Sequence, residues 1–158
     1  MANSIDTSFA TDLKYRLEYG GLRFLIGLVR LVPLDTACDI SAFFWRVLGK
    51  RNRRHKRALA NLERAFPEKA PEERERIAIA AWDNLGRVMV ETMNIDRIIK
   101  DPSRLHVTNG HWIDRYKDKM GPALIVTMHM GNWEIGMWPI TAAGVRPAGV
   151  YRSVKNPY

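Results

Sequence analysis

The stretch "MHMGNWE", Met128 to Glu134, places a histidine, a glycine, an asparagine and a carboxylate directly after the apolar run "PALIVT". An imidazole can take a proton from an alcohol near neutral pH. A carboxylate beside it can fix the ring's tautomer and support the positive charge that results. His129 and Glu134 are five positions apart, a spacing that a regular helix does not make adjacent. A strand-to-helix turn can fold the chain back and bring them together, and Gly131 permits a tight passage there. A second reading stays open on the residues alone: His129 caps a strand and Glu134 pairs with a surface cation.

Two other chemistries find less support. A metal site would draw on His106, His111, His129 and Glu134, but these lack the compact HExxH spacing, so no metal is expected. For a serine nucleophile, Ser153 lacks the GxSxG turn, and Ser41 and Ser103 have no recognisable catalytic setting.

The elements around the motif follow from a change in hydrophobic period after "KDPSR". "LHVT" reads as a short strand, "GHWIDRYKDKM" as a short helix and "PALIVTMH" as a buried strand. "WEIGMWPITAAG" then reads as a helix and "RPAGVYR" as another strand. Strand, helix, strand, helix, strand is the order of a parallel α/β sheet, whose ligands collect beyond the carboxyl ends of the strands. His129 and Arg152 both fall at such ends, and the expected fold class is α/β.

The first hundred residues read as helical. From Leu17, "LEYGGLRFLIGLVRLVPL" is strongly apolar but interrupted by Glu18, Arg23 and Arg30. It falls short of the roughly 18 to 20 uninterrupted apolar residues of a spanning helix. Its pattern fits a helix lying in the membrane interface, with Arg23 and Arg30 one heptad apart and able to snorkel to headgroups; the alternative is a helix covering the domain core. Pro33 ends it, Asp35 or Thr36 can cap the next helix, and Gly49 closes that one. Phe43, Phe44, Trp45, Val47 and Leu48 make this second helix apolar around much of its circumference, so it needs a second protein layer or lipid. Leu59, Leu62 and Phe66 mark a third helix stopped by Pro67. A fourth opens on a proline and an acidic turn at "APEE", with Ile77, Ala81, Leu85, Val88 and Met89 as its core stripe.

Charge narrows the partners. The 158 residues hold 25 Lys and Arg against 17 Asp and Glu, a formal charge of +8, and the 46% apolar content argues against general disorder. Between the second and third helices, "KRNRRHKR" concentrates Lys50, Arg51, Arg53, Arg54, Lys56 and Arg57. Such a cluster suits an anionic membrane surface or substrate, or else a solvated helix start. Nucleic acid is disfavoured because the chain has no paired Cys/His finger spacing and no base-reading motif. His55, amid these charges, reads as a surface residue. Cys38 is the sole cysteine, so no internal disulfide forms.

Four quoted features in this order carry a family resemblance. They are "NLERAFPE" at Asn61 to Glu68, the long "EERERIAIAAWDNLGRVMVE" helix, "HMGNWE", and "YRSVKNPY" at Tyr151 to Tyr158. From about Leu17 onward the chain resembles the bacterial lipid A biosynthesis acyltransferases, the lauroyl/myristoyl transferase family. The resemblance implies a glycerolipid-acyltransferase-like sheet and transfer of a fatty acyl group to a hydroxyl of a lipid A precursor. The donor is an acyl carrier protein or a coenzyme A thioester, used as cosubstrate with no bound cofactor. The place is the cytoplasmic face of the bacterial inner membrane, and the partners are its lipids, the lipid A precursor and acyl carrier protein.

Carried over residue by residue, His129 is the base and Glu134 its orienter. Arg152 contacts a sugar or donor phosphate, and Asn156 with Pro157 shapes the acceptor side. The division expected is a membrane-associated helix over 1–34 and a partial acyltransferase domain over 35–158. Family members continue for roughly as long again, which implies an amino-terminal fragment. The competing functions are a nonenzymatic basic membrane-binding domain and a nucleic-acid-binding module.

Overall fold

In a computed structural model, the described residues are 9–117, 121–150 and 154–158. Five helices come first in the chain: α1 (Phe9–Arg30), α2 (Leu34–Gly49), α3 (Arg53–Ala65), α4 (Pro71–Met93) and the short α5 (Ile95–Ile98). Three short elements follow, α6 (His111–Lys117), a 3₁₀ turn (Trp133–Met137) and α7 (Trp138–Ala142).

The expected α/β class is overturned, for the described residues contain no β-strand. "LHVT", "PALIVTMH" and the described part of "RPAGVYR" are irregular, and none pairs with another segment. A strand exists only as a member of a ladder, and β-branched composition favours it only where a pleated surface offers neighbours. Here Leu124 and Val126 are 98% and 92% exposed, so the apolar run has neither a pairing edge nor a covering layer.

The core is instead the seam between α2 and α4. Ala78, Trp82, Gly86 and Val90 recur every fourth residue along α4 and are all buried. The buried stripe is thus offset from the one expected, in which Ala81 and Met89 are exposed and only Val88 is buried. Small residues let the helices meet closely: Ala42 is fully buried, and Ser41 Oγ donates to the Gly86 carbonyl at 2.8 Å. Trp45 stacks on Trp82 with ring centroids 5.7 Å apart. Gly49 ends α2 with its Cα hydrogens against that same Trp82 ring. Neither Asp35 nor Thr36 caps α2; Pro33 precedes its first turn, and the Asp35 carboxylate is turned to Arg104 at 2.8 Å.

A polar trio, buried at His55 and Trp82 and half-exposed at Glu75, joins α3 to α4. His55 is 6% exposed, which corrects its reading as a surface residue. The Trp82 indole N–H donates to His55 Nδ1 at 3.1 Å, and His55 Nε2 faces the Glu75 carboxylate at 3.0 Å. A donor aimed at Nδ1 requires a lone pair there, so the hydrogen sits on Nε2 and is donated to Glu75. The flanking cations point outward while the ring turns inward. His55→Leu would leave the Trp82 N–H buried without an acceptor, at a cost of about 1–3 kcal/mol. Urea unfolding of this variant should show a lower midpoint at unchanged slope.

Helix α1 is held at its carboxyl end. Arg30 makes a two-pronged bridge to Asp96 at 3.0 and 2.8 Å, and Arg97 donates to the Arg30 carbonyl. The Arg30 hydrogen bond holds the Asp96 carboxyl below the usual carboxylate range. Val29 and Val32 pack against the buried group of Ala37, Cys38 and Val90. The rest of α1 buries nothing and exposes Phe9, Leu17, Phe24 and Leu28, and Leu31 is exposed just past its end. Among the described residues, no helix is long and apolar enough to cross a membrane.

Candidate functional site

The turn that carries the motif is built from local contacts. Met130 N–H donates to the Met128 carbonyl at 2.8 Å, a three-residue closure that reverses the chain just past His129. Gly131 follows with φ +54°, in the left-handed region that costs a residue with a Cβ. The Asn132 carbonyl then accepts from Ile135 N–H and opens the 3₁₀ turn that bears Glu134.

His129 and Glu134 are both exposed, and no hydrogen bond or ion pair joins them. The His129 ring lies against Trp133 instead, with centroids 4.8 Å apart and planes inclined by 46°. The turn therefore brings imidazole and indole together and leaves the carboxylate on the adjoining helical turn.

Asn132 is the motif residue fixed most firmly to the helices. Its Nδ2 donates to Glu91 Oε2 on α4 at 3.1 Å. Its Oδ1 is buried without a partner. A buried acceptor left so costs about 1–3 kcal/mol, which the bond to a charged carboxylate offsets in part.

Two clefts adjoin this contact. One, of about 330 Å³, is lined by Asp35, Cys38, Glu91 and Arg104 among others; the second, of about 460 Å³, is lined by His106, Thr108, Asn132 and Trp138 among others. They share Leu105 and Ile135, and neither is lined by His129 or Glu134. At the first cleft, Arg104 clamps Asp35 with two bonds of 2.8 Å and holds its carboxyl below the ordinary range. Burial pushes the Cys38 thiol up, which disfavours the reactive thiolate. Among the described residues, no group of three His, Cys, Asp or Glu side chains is placed to hold a metal.

The remaining candidates lie elsewhere. Arg152 is outside the described residues. Asn156 donates to the Tyr15 carbonyl at 3.0 Å and to Glu18 at 3.2 Å, so residues 154–158 lie along α1. The Tyr158 hydroxyl donates to Asp12, and Arg16 stacks over the Tyr158 ring. Arg23, Lys50, Arg51, Arg53 and Arg54 are all exposed, and among the described residues none of their side chains is in an ion pair. Arg30 differs from them, being engaged with Asp96.

Sequence reasoning did not find Glu91 or the anchoring role of Asn132. The available signal was a carboxylate in the apolar last stretch of α4, "VMVETM", where the helix dipole disfavours negative charge.

The turn that bears His129 and Glu134 is tied to the helices through Asn132, and both side chains stand outside the two clefts. Residues 7–158 match the family described as bacterial lipid A biosynthesis acyltransferase, and the chain belongs to that family. Membership gives the general activity, acyl transfer, and with it the need for an acyl donor as cosubstrate. Neither the curated proteins nor the solved structures contain a match to this chain.

Proposed function

We propose that this chain moves a fatty acyl group from an acyl carrier protein or coenzyme A thioester to a hydroxyl of a lipid A precursor, at the cytoplasmic face of the bacterial inner membrane. The observation that carries the reading is the His-x4-Glu turn standing within the stretch that matches the family. His129 takes the hydroxyl proton and the oxygen attacks the thioester carbonyl. The carbon–sulfur bond then breaks, and the thiolate leaves with the proton that His129 returns. No acyl-enzyme forms.

Glu134 orients the ring and supports its charge once substrate draws the two together, since catalytic hydrogen bonds often tighten only in the bound complex. Arg152 contacts phosphate through its planar fork. Asn156 serves the acceptor side by holding its segment on α1. In this reading, residues 1–34 associate with the membrane and 35–158 carry the transferase chemistry.

Membrane contact is supported by the apolar side chains exposed on α1 and α2, Phe24, Leu28, Phe43, Phe44 and Leu48, and by Leu31 between the two helices, all close in sequence to the exposed cations. A radiolabelled acyl thioester, a lipid A precursor and vesicles containing anionic lipid test both parts. Label should pass to the precursor hydroxyl. Replacing Lys50, Arg51, Arg53 and Arg54 with alanine should weaken vesicle binding by about 1 kcal/mol per cation, and less at high salt. Vesicle binding with no transfer by the full chain would instead favour a nonenzymatic basic membrane-binding domain.

A further inference from the structure

Among the described residues, one side-chain hydrogen bond ties the region 121–150 to the helices α1 to α5, and it runs from Asn132 to Glu91. The preceding residues 121–131 are exposed throughout, so packing does little to hold them. Asn132 lies between the two motif residues. Met130 and Gly131, the latter with a left-handed backbone, separate it from His129, and its own carbonyl starts the helical turn that carries Glu134. Whatever fixes Asn132 therefore fixes the origin from which both side chains are presented.

Glu91 is suited to that task. It belongs to the long helix α4, in its final turns, between the buried Val90 and Asn94. Its carboxylate also dictates which end of the Asn132 amide it meets, because a carbonyl oxygen turned toward it would set two acceptors face to face. With Oδ1 buried and unpartnered, the bond to Glu91 is the one hydrogen bond that the Asn132 side chain makes among the described residues.

We propose that Glu91 and Asn132 form a positioning pair: the α4 carboxylate holds the Asn132 amide, and through it sets the turn that presents His129 and Glu134. The kinetic consequence rests on the reading of His129 as the general base. The geometric one does not.

An exchange of the two groups tests the pair in the full chain. Asn132→Asp alone sets two carboxylates against each other and should lower kcat about tenfold or more, with KM within about twofold, since small misplacements of catalytic groups carry large rate penalties. Adding Glu91→Gln supplies an amide that donates to the new carboxylate and should restore most of the loss. Glu91→Ala and Asn132→Ala should each lower kcat, with no further loss in the double variant. Failure of the exchange to restore, or multiplicative losses in the double alanine variant, would overturn the pair.

A second readout separates this idea from the proposed chemistry. The imidazole resonance of His129 in histidine-labelled protein, assigned by its disappearance in His129→Ala, should shift in Asn132→Asp and return in the exchanged variant. A resonance indifferent to all these changes sinks the positioning role, whatever the enzyme assay gives. A resonance that behaves as expected, in a protein whose transfer does not depend on His129, sinks the catalytic reading and leaves the geometry standing.

Discussion

In His129→Ala, acyl transfer should fall by about 10² to 10⁴, the usual contribution of a positioned general base. That range corresponds to roughly 3 to 5.5 kcal/mol of barrier. The site favours a clean result. His129 is exposed and its one described ring neighbour is Trp133, so truncation opens no core cavity and should leave the urea midpoint unchanged. Vesicle binding should also persist, because the exposed apolar side chains of α1 and α2 and the cations Lys50, Arg51, Arg53 and Arg54 are distant from the motif in sequence. Glu134→Gln keeps the shape of the side chain and removes its charge, so its effect measures the support given to the imidazolium. In the resting arrangement the two groups share no hydrogen bond, and the loss should therefore be smaller than that of the base itself. Turnover unchanged in His129→Ala would remove the assigned base, and unchanged turnover in Glu134→Gln would remove its orienter.

The helical part was legible because helix signals are local. Pro33, Pro67 and Pro71 punctuate the chain where helices stop or start, and Glu72 and Glu73 fill the first turn of α4 as the helix dipole favours. The start of α1 was less legible. Reading from the apolar run placed it at Leu17, whereas polar residues extend it back to Phe9, supported by Asp12–Arg16 and Lys14–Glu18 pairs one helical turn apart.

Strands and site contacts were harder because their partners lie far along the chain. An apolar run such as "PALIVT" says that a surface wants covering, not that a neighbour exists to pair with it. The inward turn of His55 depends on Glu75 and Trp82, 20 and 27 residues away, while its immediate neighbours are cations. Asn132 likewise finds Glu91 at a separation of 41 residues. The chemical types at Met128–Glu134 could be read locally. What anchors them to α4 could not.

The seam that supports this anchor should be intolerant of a single added side chain. A Cβ at Gly86 would stand 2.9 Å from the Ala42 Cα, 2.9 Å from Trp45 Cδ1 and 3.0 Å from the Ala42 nitrogen. Two of these atoms are backbone, so no rotamer change relieves the contact and α2 must move away from α4. That displacement would strain the Trp45–Trp82 stack and the Ser41 hydrogen bond to Gly86 along the main helix–helix contact. Overpacking commonly costs about 1–3 kcal/mol and sometimes more. Gly86→Val, with a branched side chain, should lose about 3 kcal/mol or more, a large share of the roughly 5–15 kcal/mol that holds a domain together. Helix propensity gives the internal control. Gly27 lies within α1 with nothing inside 4 Å of an added Cβ, so Gly27→Ala should raise stability or helicity by up to about 1 kcal/mol. Gly86→Ala carries the same propensity gain against a backbone clash and should lower the urea midpoint. Equal effects of alanine at the two positions, or a Gly86→Val midpoint like that of the parent chain, would mean that α2 and α4 do not meet at this distance, and the platform beneath Glu91 would have to be redrawn.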